Sequence, residues 1–314
     1  MGAARQPTIV GAGLAGLIAA HAWPAAPVLE AAAAPRALHR ALLRFRSEAV
    51  SNITGIEFRK VRVHKGIWSE GAFRLPNIRL ANQYAQKALG RIAGDRSIWN
   101  LESVDRYVAP DSFYEQLVEA AGSRIHWGVK ADFEGRGTDL AMVSTAPLPV
   151  ACAGLGWEIN AVPLPGGVKF ERAPITVVRC RVRGADVFQT VYFPDQETPM
   201  YRASITGDTL ILEAMSSDVA PEYWLPRALV LVGRAFATEV QVLETVNQQY
   251  GKIVPIADAD RKRLLFELTQ RRRLYSLGRF ATWRNILLDD VVKDIHVIKR
   301  LMASDPYDVR RSAS

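Results

Sequence analysis

Gly11, Gly13 and Gly16 punctuate the stretch Thr8-Ile9-Val10-Gly11-Ala12-Gly13-Leu14-Ala15-Gly16-Leu17-Ile18-Ala19-Ala20, in which an apolar strand passes through a tight turn into a helix. Gly11 suits the turn, Gly13 lets the backbone approach a pyrophosphate, and Gly16 lets the helix pack close to the strand. The N–H groups that open the helix, at Leu14 and Ala15, and the positive end of its dipole then face the phosphates. A second apolar strand, Pro27-Val28-Leu29, ends in Glu30, 19 residues beyond Gly11. A carboxylate there accepts hydrogen bonds from a ribose. The chemistry these residues offer is the capture of a dinucleotide.

The other informative stretch runs from Arg273 to Val292. A strand ends at Gly278-Arg279, a loop follows, and Asp289 and Asp290 cap a helix that continues through Val291 to Met302. This segment resembles the C-terminal flavin motif of UDP-galactopyranose mutases and of the related protoporphyrinogen-oxidase and amine-oxidase flavoproteins. The matching positions are Gly278, Arg279, Thr282, Trp283, Arg284 and Asp289. The resemblance implies FAD as cofactor, with Arg279 on its pyrophosphate and Asp289 or Asp290 on the ribityl chain. It also implies that the following helix points its N-terminus at the flavin, where the dipole would stabilise the anionic reduced form.

A weaker likeness covers Ala141 to Pro149 and the stretch Pro199-Met200-Tyr201-Arg202, where the mutases place a diphosphate-binding arginine. It implies Arg202 at the anionic group of a substrate, with Tyr201 and Trp283 as aromatic walls. The mutases carry a tyrosine where Asn285 stands, and of their histidine-glycine loop His64-Lys65-Gly66 is at most a remnant. Galactopyranose isomerisation on a nucleotide sugar is thus an alternative. The first reading is an amine-oxidase type of oxidative C–N cleavage on an anionic amine, since a flavin carries the hard step and the chain need supply only orientation and charge. The chain also looks like phage-type flavoenzymes that trim an amino-acid adduct on a thymine in DNA. A non-catalytic binding protein of the same fold is the third reading.

Charge points the same way. The 314 residues carry 40 Lys and Arg against 32 Asp and Glu, a net charge of +8. Such a balance favours an anionic substrate or a polyanionic partner. Three basic groups stand out: Arg36, Arg40, Arg44 and Arg46; then Arg59, Lys60, Arg62 and Lys65; then Arg261, Lys262, Arg263 and the run Arg271 to Arg273. If some converge on the flavin cleft, the substrate is carried on a nucleic acid whose phosphates they neutralise, and an extruded base would stack on Tyr201 or Trp283. Cys152 and Cys180 have no paired spacing and no histidine cluster nearby, so neither a disulfide framework nor a metal site is expected. No apolar run approaches the ~20 residues of a membrane span, and a cytoplasmic protein is expected.

The elements that must position these groups predict an α/β fold: a Rossmann-like FAD-binding domain with an inserted domain of antiparallel β-sheet plus helices. The two half-sites lie at opposite ends of the chain, so the FAD domain would be discontinuous, built from residues 1–65, 105–156 and 251–314. Residues 66–104 and 157–250 would form the substrate domain, its second part starting near Trp157. Strands are expected over 55–67, 97–108, 123–129, 138–149, 169–183, 187–193, 200–205 and 209–215. Helices are expected over 77–92, 110–120 and 261–272, with one or two more over 220–250. On a helix the spacing of every four residues would put Arg36, Arg40 and Arg44 on one solvated face; the alternative is a loop over the cofactor, where the arginines meet the pyrophosphate or an anionic substrate.

Overall fold

The computed structural model describes residues 6–35, 43–94, 98–99, 101–133, 141–155, 168–215 and 219–304. Two sheets divide them. The first is entirely parallel, in the order β14-β8-β1-β2-β7, from β1 (Thr8–Val10), β2 (Val28–Glu30), β7 (Ile125–Trp127), β8 (Met142–Ser144) and β14 (Leu274–Ser276). Ile9, Val10, Val28, Leu29, Met142, Val143 and Leu274 are all buried. Parallel strands covered on both faces demand such unbroken apolar runs. Helix α1 (Leu14–Ala22) packs on this sheet between α4 (Phe113–Ala121) and α8 (Leu288–Ala303), and Leu17 and Ile18 share a core with Phe113, Leu117, Val291 and Ile295. That core brings the last long helix of the chain beside the first.

The second sheet follows the order β13-β9-β12-β11-β10-β4-β6-β3, with β5 beside β4. Its strands are β3 (Arg44–Phe45), β4 (Arg59–Ser69), β5 (Ala72–Arg74), β6 (Val104–Val108), β9 (Arg172–Arg181), β10 (Val187–Tyr192), β11 (Met200–Gly207), β12 (Thr209–Met215) and β13 (Gln241–Ile253). All pair antiparallel except β10 with β4. The sheets split the chain differently from the expected domain limits. Residue 65 falls inside β4, and β3 and β6 also belong to the larger sheet. In β4, Val61 and Val63 are buried while Arg59, Lys60 and Arg62 are exposed, an alternation suited to a sheet with two unlike faces.

Three local expectations are corrected. Residues 241–250 are strand, because Val242, Thr245 and Val246 are β-branched and pair with β9. Helix α5 (Leu148–Ala153) stands where a strand was read to continue, and it begins with a proline in its first turn. Arg44 lies on β3 and not on a helical face. Arg36, Arg40 and Trp157 lie outside the described residues. Among the described residues no helix is long and apolar enough to cross a membrane.

The larger sheet has one apolar and one polar face. Helix α6 (Pro221–Phe236) covers the first, setting Trp224, Ala228, Leu231 and Val232 on Val178, Cys180, Ala203, Ile205, Leu210 and Leu212. The register places Thr190 beside Ser204, Tyr192 beside Arg202, Arg202 beside Glu213 and Lys65 beside Thr190 on the other face. Helix α3 (Ile78–Leu89) closes one end of that polar face, with Tyr84 edge-on to Tyr192 and Tyr201.

From α3, Lys87 donates to the Phe193 carbonyl at 2.9 Å and to the Asp195 carbonyl. Burial pushes its ammonium down to about 7 against an ordinary 10.5, with Asp195 and Glu197 opposing. Above pH 7 the folded protein therefore gives up a proton that the unfolded chain keeps, so stability rises with pH across that window. Relative to Lys87→Met, the wild type should gain stability between pH 7 and 10 and hold a constant difference below pH 6. Denaturation at stepped pH checks this, and two parallel stability curves would refute it.

Candidate functional site

The glycine turn between β1 and α1 is as tight as its spacing demands. Gly11 has φ +97°, and a Cβ there would come within 2.3 Å of Thr145 Oγ1. A Cβ on Gly16 would come within 1.9 Å of the Gly11 carbonyl oxygen. Gly13 differs, since a Cβ on it would meet nothing within 4 Å. It is the N-cap of α1, and no cap side chain takes the first amides of the helix, at Leu14 and Ala15. Glu30, at the end of β2, accepts from the Ala12 N–H at 2.7 Å and from the Ala32 N–H at 2.8 Å. The carboxylate thus ties the glycine turn to the loop beyond β2.

The C-terminal stretch meets this turn directly. Gly278 has φ +91°, and a Cβ on it would stand 3.0 Å from the Ala15 Cβ. Arg279 follows, its Nη2 donating to Asn285 Oδ1 at 3.2 Å and to the Gly251 carbonyl at 3.4 Å. Of the two expected half-sites, Gly278 is thus seated on the glycine turn, while the guanidinium of Arg279 is turned to Asn285 and Gly251.

Asp289 is buried and turned to the protein. Its carboxylate accepts from the Arg46 N–H at 3.0 Å and from the Ser47 N–H and hydroxyl, each at 2.9 Å. Asp290 accepts from the Leu287 N–H at 3.0 Å and caps α8, and Val291 is core. Both carboxylates thus fasten the chain.

Nor do the expected aromatic walls form. Tyr201 is 1% and Trp283 2% exposed. Tyr201 lies under the Lys252 ammonium, which is 4.1 Å from its ring centre. Trp283 donates from Nε1 to the Val254 carbonyl and packs edge-on against Phe170. The apolar surface of both rings is spent on holding elements together. His64-Lys65-Gly66 is part of β4 and not a loop, and the Phe73 ring would stand 2.7 Å from a Cβ on Gly66.

Arg202 keeps about a third of its side chain accessible and donates from Nε to Glu213. Glu213 holds its guanidinium charged against the cost of burial. Arg44, of the first basic group, lies on the same face, at Thr206 and Thr190. The signal for this face was the alternation of Arg202, Ser204 and Thr206 along β11, every second residue polar.

Part of the basic groups is paired: Lys60 and Arg62 with Asp105 at 3.1 and 2.9 Å, Arg59 with Asp186 at 3.2 Å, Lys262 with Asp258 at 2.7 Å and Arg271 with Glu267 at 2.6 Å. Arg261 also pairs with Asp258, and Arg273 is buried.

No family model matches the chain, and no curated protein matches it in sequence. Solved structures share its fold. The tryptophan 5-halogenase MibH aligns over 98% of this chain and 67% of its own, with a TM-score of 0.52 and 14% identity. Aklavinone-11 hydroxylase, solved with FAD and aklavinone, aligns over 95% of this chain with a TM-score of 0.55 and 12% identity. This chain spans only 62% of that hydroxylase. A putrescine oxidase variant redesigned in its cofactor binding aligns over 95% of this chain and 99% of its own, with a TM-score of 0.57 and 11% identity. The class defined is the α/β flavoenzyme fold, a Rossmann-like parallel sheet joined to a second, largely antiparallel sheet, as the sequence led one to expect.

The residues present fit FAD. The space at Gly13, the uncapped amides of α1 and the close seat of Gly278 on Ala15 leave a cradle of backbone in which a pyrophosphate would lie. Glu30 stands where the ribose diol would be held.

Proposed function

We propose that this protein is an FAD-dependent oxidoreductase acting on a small anionic amine bound against the polar face of the larger sheet. The observation that carries the reading is the meeting of Gly278 with Ala15, which joins two segments from opposite ends of the chain into one cofactor cradle. When bound, FAD supplies the hydride acceptor. The chain's own residues then bind and orient. Gly13, Leu14 and Ala15 would hold the pyrophosphate, Glu30 the ribose, and Arg202 the anionic group of the substrate. With the substrate so placed, the carbon beside its nitrogen loses hydride and the nitrogen loses a proton. Water then hydrolyses the imine to a carbonyl compound and a free amine, which breaks the C–N bond.

A small anion is favoured over one carried on DNA because Lys60, Arg62, Lys262 and Arg271 of the basic groups already have carboxylate partners, whereas among the described residues Arg44 on the polar face is held by neutral partners alone. Anaerobic titration of the FAD-loaded protein with amino-acid-like amines should bleach the flavin colour. Salt separates the two substrate classes, since each phosphate neutralised on B-DNA contributes about −0.9 to the slope of log affinity against log salt. A steep slope with duplex DNA would overturn the small-anion reading, and bleaching by nucleotide sugars alone would overturn the amine.

FAD binding is tested by Glu30→Ala, with denaturation of the FAD-free protein reading separately the loss of the Ala12 and Ala32 amide bonds. Loss of a charged acceptor from a ribose costs roughly 1.5–3 kcal/mol, which is about a 10- to 150-fold loss of FAD affinity. A wild-type protein that is colourless and takes up no FAD would end this proposal.

A further inference from the structure

We infer that the face of the larger sheet covered by α6 carries a second ligand site, a cavity between the β4–β5 hairpin and the C-terminal end of α6 that takes a small apolar carboxylic acid. It lies on the opposite face from Arg44 and Arg202, and it does not depend on the oxidoreductase reading.

The cavity holds about 560 Å3. Small-molecule sites span roughly 300–1,000 Å3. Its walls are apolar, with Phe73 and Leu75 from the end of the hairpin, Leu101 from the approach to β6 and Phe236 from α6. Phe73 is 56% and Leu75 85% exposed. Large apolar side chains left open around a concave surface, unlike scattered ones, mark a place where a ligand docks.

Strand alternation sets the face. Along β4, His64 and Gly66 point the same way as Trp68, and along β10 Gln189 points the same way as Val191. Trp68 and Val191 pack in the core under α6, so the cavity opens on that side of the sheet. Gly66 provides the room. The Phe73 ring lies 2.7 Å from where a Cβ on Gly66 would stand, edge-on to Trp68 with ring centres 5.1 Å apart.

Two polar side chains stand together on the floor. His64 and Gln189 are partners in the parallel register of β4 and β10, and both line the cavity. His64 Nδ1 is 2.8 Å from Ser103 Oγ, and among the described residues its Nε2 has no partner. With Ser103 donating to Nδ1, Nε2 carries the proton and is free to donate. The Gln189 side-chain amide likewise makes no hydrogen bond among the described residues, since only its backbone carbonyl is taken, by Arg44. An imidazole N–H and an amide N–H side by side offer a carboxylate two donors. At the mouth, Arg74 and Arg79 share the single carboxylate of Glu70 at 3.3 and 3.2 Å, so the charge there is net positive. The walls thus suit an apolar body, and the floor and mouth suit one negative charge.

The test uses the full chain with FAD added, and naphthoate as the probe with naphthol as its uncharged match. Methyl signals of Leu75 and Leu101 report the cavity. Wild type should bind naphthoate with a Kd of about 1 mM or tighter, shifting both signals, and naphthol at least about tenfold more weakly. Gly66→Val places a side chain in the cavity and should weaken naphthoate by at least about tenfold. Gln189→Leu keeps an apolar side chain of similar size and should weaken naphthoate by about tenfold while leaving naphthol unchanged.

No shift at Leu75 and Leu101 with millimolar naphthoate would overturn the site, and equal affinity for naphthoate and naphthol would overturn the carboxylic acid. Unchanged naphthoate binding in Gln189→Leu would overturn the floor contact even if Gly66→Val fails to fold. The flavin reading is scored separately, by FAD uptake, which both substitutions should leave as in wild type.

Discussion

Gly13→Val should fold as the wild type does and yet take up no FAD at concentrations that saturate the wild type. The backbone at Gly13 has φ −75° and ψ 175°, an extended conformation that a β-branched residue adopts without strain. A Cβ there would meet nothing within 4 Å, so the loss of stability should be limited to the N-cap preference for glycine over valine, about 1 kcal/mol. The space it fills is the space a pyrophosphate needs in order to reach the amides of α1. Losing two charge-assisted hydrogen bonds costs at least about 3 kcal/mol, or more than 100-fold in affinity.

Gly16→Ala is the contrast. Its Cβ would come within 1.9 Å of a backbone oxygen, so strand and helix must part, at a cost of about 1–3 kcal/mol before any cofactor is added. Thermal denaturation without FAD and fluorescence titration with FAD read the two effects separately. Wild-type FAD affinity in Gly13→Val would show that the cofactor does not lie on this turn.

Asp289→Ala should be the most destabilising single change at the site, by about 2–5 kcal/mol, in FAD-free as well as FAD-loaded protein. The carboxylate is 5% exposed and takes the N–H groups of both Arg46 and Ser47. Its removal leaves two amides without acceptors, each worth about 1–3 kcal/mol. Against a typical total of 5–15 kcal/mol that is a large fraction. Asp289→Asn keeps one acceptor oxygen and should recover about half the loss.

Denaturation of FAD-free protein decides the matter. A ribityl ligand, as the family likeness implies, would lower FAD affinity and leave the FAD-free protein as stable as wild type.

What the sequence determined by itself is local and backbone-driven. Gly11, Gly16 and Gly278 are legible because left-handed φ and the lack of a Cβ are properties of glycine, so their spacing carries geometry that no later packing alters. Glu30 is legible because an apolar strand of fixed rise puts its last residue at a fixed distance from the turn. The apolar runs of β1, β2 and β8 announce a buried parallel sheet for the same reason.

Side-chain partners were settled only in three dimensions. Asp289 could serve a cofactor or a backbone turn, and it is the Arg46–Ser47 amides, about 240 residues earlier in the chain, that claim it. Trp283 and Tyr201 could wall a pocket, but burial of a large ring is worth more in the core, and both are buried. Arg44 reads like any other arginine in a basic run until β3 is laid against β6 at the edge of the larger sheet, which aims its guanidinium at Thr190 and Thr206. Period and glycine geometry are written along the chain, whereas the identity of the group that meets a charged or aromatic side chain depends on which strands the sheet sets side by side.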